Sequence, residues 1–190
     1  MRLVLASASP RRAELLRAAG FAFEIVAVDV DERVRGGEIA SAYVQRLASA
    51  KSARGAATLS SARDGIVVLG ADTTVVVDGE ILGKPGDDAD AEAMLRRLSG
   101  RRHDVLTGVS VRSGDREASR VETTSVYFAP LTEAAIAWYV ASGEGRDKAG
   151  AYAVQGLASR FIPRIEGSYS NVVGLPIAAV ADLLATIALG

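Results

Sequence analysis

The chain has no cysteine, a single histidine and few aromatic residues, 5% of 190. Without cysteine there can be no disulfide framework, no cysteine-based zinc site and no thiol nucleophile. A Ser-His-Asp triad would have to use His103, the lone imidazole, and a cluster of histidine metal ligands is impossible. His103 heads a strand with no carboxylate at a fixed offset, so it reads as structural. Any divalent metal must then rest on carboxylates, carbonyls or ligand phosphates, which favours Mg²⁺ or Mn²⁺. The scarcity of aromatics predicts a mostly aliphatic core, and 34 alanines inflate the apolar fraction of 49%. Long hydrophobic runs are missing too. Leu3 to Ala6 is too short for a signal peptide and is soon followed by Arg11 and Arg12. Leu175 to Leu189 is shorter than a membrane span and carries Asp182. These features predict a cytoplasmic protein with no membrane partner. No sign of charge dominates, with 22 Lys plus Arg against 23 Asp plus Glu. That balance argues against general nucleic-acid binding but leaves room for a small anionic ligand, which needs only a local cluster of cations.

What is present is an alternation of elements over a length suited to one domain, with two lobes around a cleft. Arg2 to Ala6 reads as a short buried strand. Ser9-Pro10 opens a helix, with Ser as N-cap and Pro at the first helical position, and Gly20 closes it. Phe23 to Val28 is a second strand, followed by the acidic loop Asp29-Val30-Asp31-Glu32. Tyr43, Val44, Leu47 and Ala50 place a long helix over about 39–57. Ile66 to Leu69 is a β-branched strand, and Thr73 to Val77, Asp78-Gly79 and Glu80 to Leu82 form the clearest hairpin. Further on come a helix over 90–98, strands over 103–111 and 118–128, a helix over 132–140, a strand near 161–165 and a last helix opened by Pro176. Mixed βα units and hairpins predict an α/β or α+β sandwich, not a bundle or a barrel.

Several motifs could carry chemistry. In Ala6-Ser7-Ala8-Ser9-Pro10-Arg11-Arg12 a strand runs through small residues into a helix N-terminus, where free N–H groups and the dipole favour an anion. Taken alone, a capped helix with two solvated arginines explains it as well. In Leu69-Gly70-Ala71-Asp72-Thr73 an Asp follows a buried strand directly, the edge where α/β proteins bind ligands; the plain alternative is a turn cap. Lys84, in Leu82-Gly83-Lys84-Pro85, is returned by the hairpin towards Asp72, or is simply solvated. Glu32 ends an acidic loop that would ordinarily face solvent. Lys51 borders the apolar face of the long helix, where a snorkelling lysine is the default. Gln155 could read a base edge or pair with backbone. One theme repeats across this set: anion-binding cations, a helix N-terminus, and isolated carboxylates able to hold a hard metal.

These segments, in order, resemble the Maf family of nucleoside triphosphate pyrophosphatases, also called septum formation inhibitor Maf. The same resemblance extends through Asp147-Lys148-Ala149-Gly150-Ala151-Tyr152, Gly167-Ser168-Tyr169 and Asn171-Val172-Val173-Gly174-Leu175-Pro176, and so covers essentially the whole chain. It implies a bent mixed sheet flanked by helices with a central cleft, like inosine triphosphate pyrophosphatases. It implies cleavage of a nucleoside triphosphate between the α- and β-phosphates. By resemblance, Asp72 matches the catalytic proton acceptor, with Glu32, Lys51 and Lys84 at the other charged catalytic positions. Ser7, Arg11 and Arg12 match the phosphate-binding segment. Arg11, Thr73 and Gln155 match the specificity positions, and the segment around Gln155 looks like the branch that prefers dTTP and UTP over 7-methyl-GTP. Glu32 and Asp72 would hold Mg²⁺ or Mn²⁺. CTP and modified pyrimidine nucleotides are further candidate substrates, and relatives suggest a homodimer. A rival reading is a non-enzymatic regulator of septum formation that binds nucleotide or nucleic acid. Gly145 departs from the bulkier residue or Pro that relatives often carry before Asp147-Lys148, which predicts a looser loop there.

Overall fold

The computed structural model describes residues 2–59 and 65–188; Leu189, the end of the last apolar stretch, lies outside them. Seven strands form one mixed sheet: β1 (Arg2–Ala6), β2 (Phe23–Val26), β3 (Ile66–Val77), β4 (Glu80–Leu82), β5 (Arg102–Ser113), β6 (Arg116–Tyr127) and β7 (Arg164–Glu166). Their order is β2-β1-β3-β5-β6-β7, with β4 beside β3. β1 runs parallel to β2 and β3, whereas β4 on β3 and β7 on β6 are antiparallel. The helices are α1 (Pro10–Ala18), α2 (Ala40–Thr58), α3 (Asp88–Leu98), α4 (Glu133–Ala141), α5 (Tyr169–Val173) and α6 (Ile177–Ala188). The expected α/β class with a mixed sheet and flanking helices is the observed one.

The chain divides into two compact units, and β3, β5 and β6 each contribute residues to both. The first comprises Met1–Thr73, Thr107–Glu122 and Gly174–Gly190. Its strands obey the two-residue period of a pleated sheet. Leu3, Leu5, Val67, Leu69, Ala71, Val109 and Val111 share one buried cluster with Ala13 and Leu16 of α1 and Val180, Leu183 and Ile187 of α6. The alternate residues Val4, Ala6, Ile66 and Val68 meet Ala56 of α2 on the opposite face. Helix α2 lies unusually close to that face. A Cβ on Gly70 would come within 2.3 Å of the Ala48 carbonyl oxygen, and one on Gly108 within 2.3 Å of the Val44 carbonyl oxygen. No side chain fits at either position.

Helix α1 ends in a Schellman motif. Phe21 N–H donates to Leu16 O and Gly20 N–H to Arg17 O, both at 3.0 Å, with Gly20 at φ +80°. Its start corrects the expectation. Ser9 occupies the N-cap position but its side chain makes no capping bond; instead the Ser7 hydroxyl accepts from Ser9 N–H at 3.2 Å.

The second unit comprises Thr74–Leu106 and Thr123–Val173. Its hairpin turn has Asp78 and Gly79 at positive φ, 54° and 77°, as a type I′ turn requires. Asp87 caps α3 by accepting from Asp90 N–H at 2.8 Å, and Thr132 caps α4 by accepting from Ala135 N–H at 3.2 Å. The few aromatic residues concentrate in this core, where Phe128 and Tyr152 pack edge-on against His103 and each other. His103 is buried, and its Nε2 shares a 2.8 Å hydrogen bond with the Tyr152 hydroxyl.

Burial pushes the His103 imidazole down to about 4 from an ordinary 6.5. In the unfolded chain His103 takes a proton near pH 6.5, so its contribution to stability is full above that pH and is lost as pH falls towards about 4. The linkage amounts to about 3 kcal/mol. Because the chain has one histidine, an NMR titration reads it without ambiguity. A midpoint near 4 is expected, and an ordinary midpoint near 6.5 would contradict the assignment.

Candidate active site

The two faces of β3 carry two different sets of polar contacts within the first unit. Even-numbered residues face α2, as the cluster of Ile66 and Val68 shows, and Asp72 continues that row. Odd-numbered residues face α1 and α6, and Thr73 continues that one. Asp72 does not stand at a strand end as expected. β3 runs unbroken from Ile66 to Val77. The edge belongs instead to β1, whose parallel register with β3 stops at Leu5↔Leu69. Gly70 keeps β3 extended under α2, so no turn is needed before Asp72.

On the α2 face, Lys51 Nζ donates to Asp72 Oδ1 and to Glu32 Oε1, each at 2.6 Å. Lys51 and Asp72 are both buried, at 8% exposure. Lys51 is therefore not a snorkelling lysine: its head group ends between two carboxylates. A buried ammonium left unpaired would be strongly destabilising, and here both neighbours carry the opposite charge. Glu32 is half-exposed and sits on a loop that α2 holds from beneath. Tyr43 donates to the Glu32 carbonyl at 3.0 Å, and Arg46 donates to the Arg33 carbonyl at 3.1 Å while pairing with Glu38 at 2.6 Å. Burial, then the negative charges of Asp72 and Glu32, pushes the Tyr43 phenol up to about 12, so it remains a donor.

On the opposite face, Arg12 is buried among acceptors. Nε donates to the Gly174 carbonyl at 2.8 Å, Nη1 to Ser7 Oγ at 3.3 Å and Nη2 to Thr73 Oγ1 at 3.2 Å. Thr73 Oγ1 lies 2.9 Å from Thr107 Oγ1. Burial lowers the Arg12 pKa, and the nearby Asp72 charge opposes that shift. Arg11 precedes it in the same first helical turn.

Ser7, Arg12, Glu32, Lys51, Asp72 and Thr73 thus lie in one connected region. Lys84 and Gln155 belong to the second unit, and both are exposed. Lys84 follows β4, next to Gly83, whose carbonyl accepts from Gly150 N–H at 3.0 Å. Gly145 does not loosen its loop. A Cβ there would lie 2.1 Å from the Ala151 carbonyl oxygen, so glycine permits a close chain crossing. Sequence reasoning passed over Tyr43, Arg46, Thr107 and the Gly174 carbonyl. Tyr43 and Lys51 are eight apart on α2, two turns plus about 80°, so they share one broad face of the helix, a spacing that could have linked the pair.

Among the described residues no group of three or more His, Asp or Glu is placed to hold a metal. The donor set still suits a hard cation. Two carboxylates converge on one positively charged point, and Mg²⁺ is commonly bound by one or two carboxylates plus substrate phosphates.

The chain belongs to the Maf-like protein family, whose profile spans residues 2–187. It is 53% identical over 188 residues to a protein of Anaeromyxobacter sp. named dTTP/UTP pyrophosphatase, covering 96% of this chain and 88% of the relative. Proteins of the same name from Symbiobacterium thermophilum and Shewanella oneidensis are each 52% identical, covering 96% and 97% of this chain and 92% and 97% of theirs. Among solved structures, a nucleoside-triphosphatase / dITP/XTP pyrophosphatase from Mycobacterium abscessus matches at a TM-score of 0.42 and 19% identity. It covers 69% of this chain and 74% of its own, a likeness too slight to add to the fold described above. No described helix is long and apolar enough to cross a membrane.

Arg12 should not tolerate exchange for lysine. Lysine keeps the charge but loses the planar fork that reaches three acceptors on separate segments. Arg12→Lys is expected to lower the unfolding free energy in urea by about 2–3 kcal/mol, the scale of a hydrogen bond made by a charged group. A loss under about 0.5 kcal/mol would contradict the role given to Arg12.

Proposed function

We propose that this chain hydrolyses dTTP and UTP, with CTP and modified pyrimidine nucleotides as further candidate substrates, to the nucleoside monophosphate and pyrophosphate. The observation that carries this reading is the buried Asp72–Lys51 pair joined to Glu32, 2.6 Å on each side of the ammonium. It is supported by relatives of about half identity that bear the name dTTP/UTP pyrophosphatase. Without a metal, a pure binder of anionic phosphates would gain nothing from a carboxylate buried there.

In the proposed reaction Asp72 orients a water and takes its proton as the oxygen attacks the α-phosphorus. The α–β bridging oxygen leaves with pyrophosphate. Lys51, held between two carboxylates, presents its positive charge beside the reacting group and keeps Asp72 in place. Ser7, Arg11, Arg12 and the N-terminus of α1 receive the phosphates, since free helical N–H groups and cations favour anions. Lys84 is assigned to the phosphates and Gln155 to the base by their motifs. Arg11, Thr73 and Gln155 are the proposed selectors of the base. Glu32 and Asp72 would hold a divalent cation, Mg²⁺ or Mn²⁺, which when bound neutralises phosphate charge and acidifies water. The reaction is placed in the cytoplasm, with no nucleic acid as partner.

The test is pyrophosphate release from dTTP, UTP, CTP, purine triphosphates and 7-methyl-GTP, with Mg²⁺ or Mn²⁺. Release from dTTP and UTP is expected, falling by about 10²-fold or more in Asp72→Ala, as for loss of a general base. Release from 7-methyl-GTP alone would overturn the roles of Thr73 and Gln155. Release from none, by folded protein, would overturn the reaction.

A further inference from the structure

Gln155 occupies the third position of a four-residue turn, Ala153 to Gly156, closed by Gly156 N–H donating to the Ala153 carbonyl at 3.1 Å. Ala153 and Val154 of this turn are buried, and Gln155 is its one exposed residue. One pair of side chains, a buried tyrosine and a partly buried glutamate, fastens both of its ends. Tyr139 of α4 is fully buried. Its hydroxyl oxygen accepts from Ala153 N–H, at the entry to the turn, at 3.1 Å. The same hydroxyl donates to Glu144 Oε2 at 2.8 Å. Glu144 in turn accepts from the exit of the turn, from Leu157 N–H at 2.9 Å and more weakly from Ala158 N–H at 3.4 Å. Gly156 leaves no gap in this arrangement, since a Cβ there would lie 2.0 Å from Glu144 Oε1. Burial, reinforced by the bond to Glu144, pushes the Tyr139 phenol well above its usual pKa, so it stays protonated as a donor. None of these contacts is explained by the reaction chemistry.

We propose that Tyr139 and Glu144 are positioning residues that clamp the Gln155 turn and thereby make the site select pyrimidine over purine. The inference rests on the pyrimidine-nucleotide reading above. Its physical basis is that a glutamine amide cannot make this choice by chemistry. Uracil presents an N–H donor beside a carbonyl acceptor, and guanine presents the same pair. The two differ in how far that edge stands from the sugar, because guanine carries a second fused ring. Only a reader held at a fixed place can tell them apart. A turn free to withdraw would admit the longer base and bond to it equally well.

The experiment compares kcat and KM for UTP and GTP in the wild type, Tyr139→Phe and Gln155→Ala. Tyr139→Phe keeps the packing of the ring and removes only the hydroxyl. The UTP-over-GTP ratio of kcat/KM is expected to fall by about tenfold or more in this variant, through a higher KM for UTP and a lower one for GTP. The kcat for UTP should change little, since neither clamp residue touches the reacting atoms. The double variant Tyr139→Phe/Gln155→Ala should select no worse than Gln155→Ala alone, because the clamp acts through Gln155. Glu144→Gln carries the same test if Tyr139→Phe does not fold. UTP hydrolysis with an unchanged UTP-over-GTP ratio in the folded variants would overturn the clamp alone. Wild-type protein that releases nothing from UTP would overturn the underlying reading, and the clamp with it. Selectivity losses that simply add in the double variant would show that Tyr139 acts elsewhere.

Discussion

The ammonium of Lys51 is the constraint on which the first unit is arranged. It lies at 8% exposure, reaches Asp72 and Glu32 at 2.6 Å each, and joins a helix, a strand and a loop through one atom. Burying it requires both partners, because an ammonium desolvated without a counter-charge costs several kcal/mol. A hydrophobic triplet of the same size would hold these elements together at least as well. The arrangement is therefore better understood as a functional one tolerated by the fold. The surrounding structure is built to secure it: Tyr43 and Arg46 grip the loop that carries Glu32, and Gly70 and Gly108 let α2 approach the sheet closely enough for Lys51 to reach β3.

The two-residue period of β3 explains how adjacent residues serve different neighbours. Asp72 belongs to the row that faces α2, and Thr73 to the row that faces α1 and α6. One face thus gains a carboxylate–ammonium centre and the other an arginine held by hydroxyls and a carbonyl. A register slip of one residue would exchange the two rows and bury Thr73 against Lys51. The hydrophobic rows Leu3, Leu5, Val67 and Leu69 against Val4, Ala6, Ile66 and Val68 fix that register, so core packing and site placement are one constraint.

Much of this was legible in the residues. The β-branched runs, the Asp78-Gly79 turn, Pro10 and Gly20 place the elements they should, because turn chemistry and periodicity are local. Asp72, Lys51 and Glu32 stand out as candidates in the sequence, but nothing local shows a lysine meeting carboxylates 19 and 21 residues away. Asp72 reads as following a strand that ends at Leu69, whereas β3 runs on through it, with Gly70 serving the close approach of α2. Ser9 reads as a capping side chain, yet its hydroxyl makes no capping bond, and the Ser7 hydroxyl holds Ser9 N–H instead. Gly145 reads as slack for the corresponding reason: a glycine that relieves crowding and one that loosens a loop look identical in one dimension. The Tyr139–Glu144 pair was unreadable because its partners are backbone amides, which leave no mark on residue identity.

Lys51 and Asp72 depend on each other. A double-mutant cycle in urea, with Lys51→Met, Asp72→Asn and the pair, measures that dependence directly. Lys51→Met alone should lose about 3–5 kcal/mol, because it leaves a carboxylate buried without its counter-charge. The double variant should recover a large part of that loss. Single losses that add to within about 0.5 kcal/mol would show that the two charges are not coupled, and would contradict the account.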